Sequence, residues 1–100
     1  METQPILLPK MQRQLESVGE NIKLARLRRK YTLEQVSERA GISLENLLKI
    51  ETGSPEITIG MYTLVLRVLN LDKDIYRIAE DDLLGRKLQD IELLKKESNF

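Results

Sequence analysis

The chain of 100 residues predicts an all-helical domain. Apolar residues recur at spacings of three and four in five successive stretches, and no run alternates apolar with polar residues for long enough to make a strand. The breaks between stretches carry Thr32, Ser43, Thr58, Gly41 and Gly53, residue types that start and stop helices. An apolar share of 41% against a charged share of 32% suffices for one core and is too high for a disordered chain.

Each element follows in order. Pro5 and Pro9 flank Ile6-Leu7-Leu8, so residues 1–14 are expected to form an extended arm, mobile or paired with another chain. Leu15, Val18, Ile22 and Ala25 predict a first helix from near Leu15 to Lys30. Its end is basic, with Lys23, Arg26, Arg28, Arg29 and Lys30 matched to the helix dipole. Thr32 with Gln35 has capping-box spacing for a second helix that ends at Gly41 and turns Leu33, Val36 and Ala40 inward. Ser43 caps a third, closed by Gly53 and Pro55, with Leu47 and Ile50 toward the core and Leu44, Glu45, Leu48 and Lys49 on the other side. Thr58 caps a fourth that carries Tyr62, Val65, Leu66 and Leu69 and ends at Asn70. Asp72 is expected to cap a fifth with Ile75, Ile78 and Ala79 inward, so the domain spans residues 15–79. Residues 80–100 form a tail with acidic Glu80-Asp81-Asp82 and a weaker stripe of Leu88, Ile91 and Leu94, suited to dimer or partner contacts.

Absences narrow the chemistry. No cysteine and no histidine exclude disulfides, thiolate or imidazole metal sites and serine-histidine triads. No phosphate loop is present, and Asp81 with Asp82 reads as a solvated cluster rather than a catalytic pair, so no enzyme, metal or cofactor is expected. The longest uncharged run in the body of the chain, Ile57–Leu66, is about half a membrane span, and the N-terminus does not read as a signal peptide. A soluble, cytoplasmic protein is the expectation. Net charge is zero, but residues 1–50 hold nine basic and six acidic groups while residues 51–100 hold seven and ten. The halves are therefore +3 and −3, so the distribution of charge and not its total bears on a nucleic-acid or membrane partner.

Two short helices joined at Ala40-Gly41-Ile42-Ser43 and preceded by a basic helix meet the requirements of a helix-turn-helix. The stretch RLRRKYTLEQVSERAGISLENLLKIETG, Arg26 to Gly53, resembles the Cro and phage-repressor type helix-turn-helix, the Xre family. That resemblance implies a five-helix, lambda-repressor-like DNA-binding domain. Within it, VGENIKLARLRR, GSPEITIGMYTLVLRVLNL and DDLLGRKLQD look like the HipB-type regulators paired with HipA-type kinase toxins. This finer resemblance implies a homodimeric, nucleoid-associated repressor on a palindromic double-stranded operator, and an antitoxin that captures a HipA-like kinase.

Carried over residue by residue, the resemblance places Thr32 and Leu33 at the DNA-facing start of the second helix, where Leu33 replaces a hydrogen-bonding glutamine. Leu44, Glu45 and Lys49 fall at base-facing positions, and Ser43 and Asn46 at backbone-facing ones. Lys49 is an ordinary DNA ligand, Glu45 can accept from cytosine N4, and Leu44 can touch a thymine methyl. Arg28, Arg29 and Lys30 are expected on phosphates, against the plain reading of a solvated basic face. Leu44 and Leu48 can equally serve packing or a dimer. Arg26 and Glu51 resemble the family's internal ion pair. In the tail Leu84, Arg86, Leu88 and Ile91 are the expected partner-binding residues. The rival reading keeps the fold but gives it a protein partner instead of DNA, as zero net charge, Leu44, Glu45 and the acidic second half suggest.

Overall fold

Pro9 opens the first helix, six residues before the periodicity of the sequence predicts one. A proline at the first helical position loses no hydrogen bond, because the first four N–H groups of a helix have no partner inside it. The computed structural model describes residues 6–80 and 86–98. Within them lie α1 (Pro9–Arg28), α2 (Leu33–Ala40), α3 (Leu44–Glu51), α4 (Ile59–Val68), α5 (Lys73–Tyr76) and α6 (Arg86–Ser98). No strand occurs among the described residues. Among the described residues the architecture is therefore all-helical, with α1 to α5 between residues 9 and 76 and α6 in the tail, where the sequence shows its weaker stripe. The stretch 9–14, expected in an arm, is the first turn and a half of α1.

The core is one cluster of Ile22, Ala25, Val36, Ala40, Leu47, Ile50, Val65, Leu66 and Leu69, drawn from α1 to α4 and the residue that ends α4. Burying a side chain the size of Leu47 or Ile50 is worth about 1.5 to 3 kcal/mol each, and both are fully removed from water. Steric fit sets the crossing of α1 on α3. A Cβ on Gly19 would lie 2.6 Å from the Ile50 carbonyl oxygen, so the two backbones touch where a side chain is missing. The crossing continues at Gly53, whose added Cβ would lie 2.5 Å from Glu16 Cα.

Four helices end in the same way. Lys30, Gly41, Gly53 and Asn70 each take a positive φ, between 59° and 77°. The next residue then donates its N–H five residues back: Tyr31 to Arg26, Ile42 to Ser37, Ser54 to Lys49 and Leu71 to Leu66, at 2.8 to 3.2 Å. These are Schellman closures, which satisfy the last carbonyls of each helix. Lys30 makes one with an ordinary side chain, and that stops α1 at Arg28 instead of Lys30.

Two further expectations need correcting. Val18 is 44% exposed, because the inner face of α1 is set by Gly19, Ile22, Ala25 and Arg26. The fifth helix is a single turn in which Asp72 makes no side-chain cap bond, leaving Ile78 56% exposed and Ala79 at φ 61°. Only Ile75 of that predicted stripe packs against the core.

Candidate nucleic-acid interface

The unit α2–turn–α3 is assembled from local hydrogen bonds. Thr32 Oγ1 accepts from Gln35 N at 3.1 Å, and Gln35 Oε1 accepts from Thr32 N at 2.9 Å, a complete capping box. Gly41 at φ 74° reverses the chain, and Ser43 Oγ accepts from Asn46 N at 3.1 Å to start α3. These caps consume one donor at each helix start. The remaining first-turn N–H groups point out along the axis, where the helix dipole favours a phosphate.

Behind this unit, Arg26 and Glu51 meet in the interior. Arg26 Nε donates to Glu51 Oε2 at 2.7 Å and Nη2 to Oε1 at 3.1 Å, while Nη1 donates to the Tyr31 carbonyl at 3.0 Å. Both side chains are almost fully buried, so the pair ties α1 to the end of α3 and to the turn that leads into α2. Arg26 is thereby committed to the fold.

The outward basic residues divide. Arg28 and Lys30 are exposed at the end of α1, whereas Arg29 is half-buried and its Nη1 donates to the Ala25 carbonyl at 2.8 Å. That bond leaves guanidinium N–H groups for a phosphate but fixes where they point. Arg39, exposed on α2, stacks its guanidinium 4.8 Å from the centre of the Tyr31 ring. Leu33 packs half-buried against the core and offers little to a ligand.

Along α3, Leu44 and Leu48 are exposed at 39% and 45%, Glu45 is exposed and Asn46 is half-buried. Lys49 is not free. Its Nζ lies 3.1 Å from Glu56 Oε2 and 4.0 Å from Glu45 Oε1. Sequence reasoning missed Glu56, because it sits seven residues away beyond a glycine turn, where no helical spacing points to it.

On another face, a groove of about 590 Å³ runs between α1, α4 and the segment after it, lined by Val18, Ile57, Ile59, Leu66, Ile75 and Ile78. Burial there raises the Tyr62 phenol above its ordinary value. In α6, Arg86 and Leu88 lie in the first turn and Ile91 is exposed with Leu94; Leu84, Asp81 and Asp82 fall outside the described residues. No group of acidic side chains that could hold a metal occurs among the described residues, and no described helix is long and apolar enough to cross a membrane.

This geometry is matched by sequence comparison. The profile of the helix-turn-helix family covers residues 22–76, from the buried middle of α1 through α5. The chain belongs to that family, in its Cro/C1-type form, which is a DNA-binding regulator domain and not an enzyme family. No curated protein and no solved structure matches the chain.

Proposed function

We propose that the protein is a sequence-specific transcriptional repressor that binds a palindromic operator as a homodimer, in the cytoplasm and on the nucleoid. The observation that carries this reading is the capped α2–turn–α3 unit, whose α3 keeps Leu44, Glu45 and Lys49 on its outer face, with Arg28 and Lys30 exposed at the end of α1. In a major groove Glu45 would accept from cytosine N4, Lys49 would donate to guanine and Leu44 would meet a thymine methyl. Ser43 and Thr32 would bring their helix starts to phosphates.

Duplexes enriched by the full chain from a random library test this directly. Lys49→Ala should then cost about 1 to 3 kcal/mol on the enriched duplex and much less on random DNA. Equal losses would demote Lys49 to a backbone contact. Absence of any enriched sequence would refute the reading.

Pairing of two copies is supported by the apolar groove and by Ile91 and Leu94, which stand exposed on α6. The antitoxin role, with a HipA-like kinase held through Leu84, Arg86, Leu88 and Ile91, is supported by the resemblance of the DDLLGRKLQD stretch. Its test is co-purification of a kinase encoded beside the gene, and loss of that kinase from an Ile91→Asp variant that still binds operator. One observation favours a second reading, a protein-binding module. With Lys49 shared between Glu56 and Glu45, the outer face of α3 presents two leucines and a net negative charge, a surface that suits a protein groove as well as a DNA one.

A further inference from the structure

Glu56 stands on a loop that the fold holds in place from several sides. Gly53 is pressed on α1, its carbonyl accepting from Gln12 Nε2 at 2.9 Å. The Ser54 carbonyl accepts from Tyr62 OH at 3.3 Å, and Ser54 Oγ accepts from Glu56 N at 3.2 Å. Ser54 N in turn donates to the Lys49 carbonyl at 2.9 Å, which ties the loop to the residue that Glu56 faces. The carboxylate is therefore brought to Lys49 Nζ by the loop's own bonds, at 3.1 Å, with Glu45 Oε1 at 4.0 Å on the neighbouring turn. Three charges at the outer end of α3 sum to one negative.

We propose that Glu56 is a positioning residue for specificity: it holds the Lys49 ammonium off the phosphates of arbitrary DNA and releases it only to a guanine edge. The inference rests on the DNA-binding reading above. Its physical basis is a competition. An exposed lysine-carboxylate pair is weak, so the two acceptors of guanine, O6 and N7, can displace Glu56. A phosphate contact only exchanges one anionic partner for another and adds no base-edge hydrogen bonds, so it does not offset the separation from Glu56. The clamp thus taxes every non-cognate site and is relieved at the cognate one. Specificity is a difference of affinities, and raising the cost of the wrong partner is one way to create it.

The test uses the full chain, a duplex enriched from a random library, and a scrambled duplex of the same length, titrated at several salt concentrations. Glu56→Gln should tighten binding to the scrambled duplex about threefold to tenfold and steepen its salt dependence by about one unit, as expected for one added phosphate contact. Binding to the enriched duplex should change less than twofold, so the ratio between the two falls. Glu56→Asp should retain most of the wild-type ratio. In a Lys49→Met background the Glu56→Gln effect on scrambled DNA should shrink by at least threefold. An equal effect in both backgrounds would mean that Glu56 acts as a bare charge, and the proposal is overturned. So is it if Glu56→Gln leaves both duplexes unchanged. A wild-type chain that binds no duplex would remove the DNA-binding reading as well, and all variants failing together marks that outcome apart from the others.

Discussion

Two ion pairs on α3, anchored only two residues apart, differ mainly in burial. Glu51 faces inward and accepts two bonds from Arg26, whose third donation goes to the Tyr31 carbonyl. Lys49 faces outward and meets Glu56 with side chains about two-fifths exposed. The interior pair has no water to fall back on, so each partner is indispensable to the other once the fold exists. The exterior pair competes with water and salt at every moment, so it contributes little to stability and remains exchangeable. One helix of eight residues thus carries a side committed to the fold and a side whose charges stay exchangeable.

The strongest way to break this comparison is to remove one interior partner. Arg26→Ala or Glu51→Ala should cost about 3 to 5 kcal/mol, because a charge is left buried and alone. In a domain of this size each kcal/mol lowers Tm by roughly 4 to 8 °C, so thermal melts will show it plainly. Arg26→Met with Glu51→Leu should lose less than either single variant; a larger loss would mean that the pair itself, and not only its completeness, holds α1 on α3.

Next in size is the contact under that pair. Gly19→Ala places a methyl against the backbone of Ile50 and Glu51, which cannot rotate away as a side chain would. A cost of about 1 to 3 kcal/mol is expected from overpacking, read as a shift in denaturant midpoint at constant slope. A neutral outcome would show that the helices slide apart freely and that the interior pair is not geometrically demanding.

Tyr62 lies between the two regimes, half-buried with its hydroxyl on Ser54. Burial raises its phenol above the ordinary 10.0, so the folded state disfavours ionisation that the unfolded state allows. That stabilisation is complete below pH 10 and is lost as pH climbs from there through the raised value. Denaturant midpoints from pH 8 to 11.5 should therefore fall more steeply for the wild type than for Tyr62→Phe. Parallel curves would mean that the hydroxyl is solvated in the folded chain.

The smallest effect is expected at the exterior pair. Glu56→Gln should leave stability within about 0.5 kcal/mol of wild type, while still altering DNA binding. A loss of several kcal/mol would erase the distinction between the two pairs.

What was legible in the sequence followed the range of the interaction. Thr32 with Gln35, Ser43 and Thr58 cap the helices they precede, because a capping bond spans three residues and leaves its mark in a window of that length. Ile22, Ala25, Val36, Ala40, Leu47, Ile50, Val65, Leu66 and Leu69 were readable from helical period alone. Resemblance, rather than spacing, singled out Arg26 with Glu51, since a pair 25 residues apart leaves no local pattern. Gly19 was passed over because a glycine inside a helix reads as a gap in the apolar stripe until the crossing helix is known. Val18 was overvalued for the same reason. Arg29, turned back on Ala25, and Lys49, turned on Glu56, show the limit most clearly at the site: residue type announces a positive charge, but only the folded chain shows where it has already been spent.

The claim that matters most is that this surface binds duplex DNA through charges at the end of α1 and reads it with α3. Salt titration of the full chain on its enriched duplex tests it most directly, comparing wild type with Arg28→Ala, Lys30→Ala and their combination. The logarithm of affinity should fall linearly with the logarithm of salt concentration, and the slope should lose about 0.9 for each phosphate contact removed. Identical slopes in the wild type and the double variant, or binding indifferent to salt, would contradict the placement of the interface.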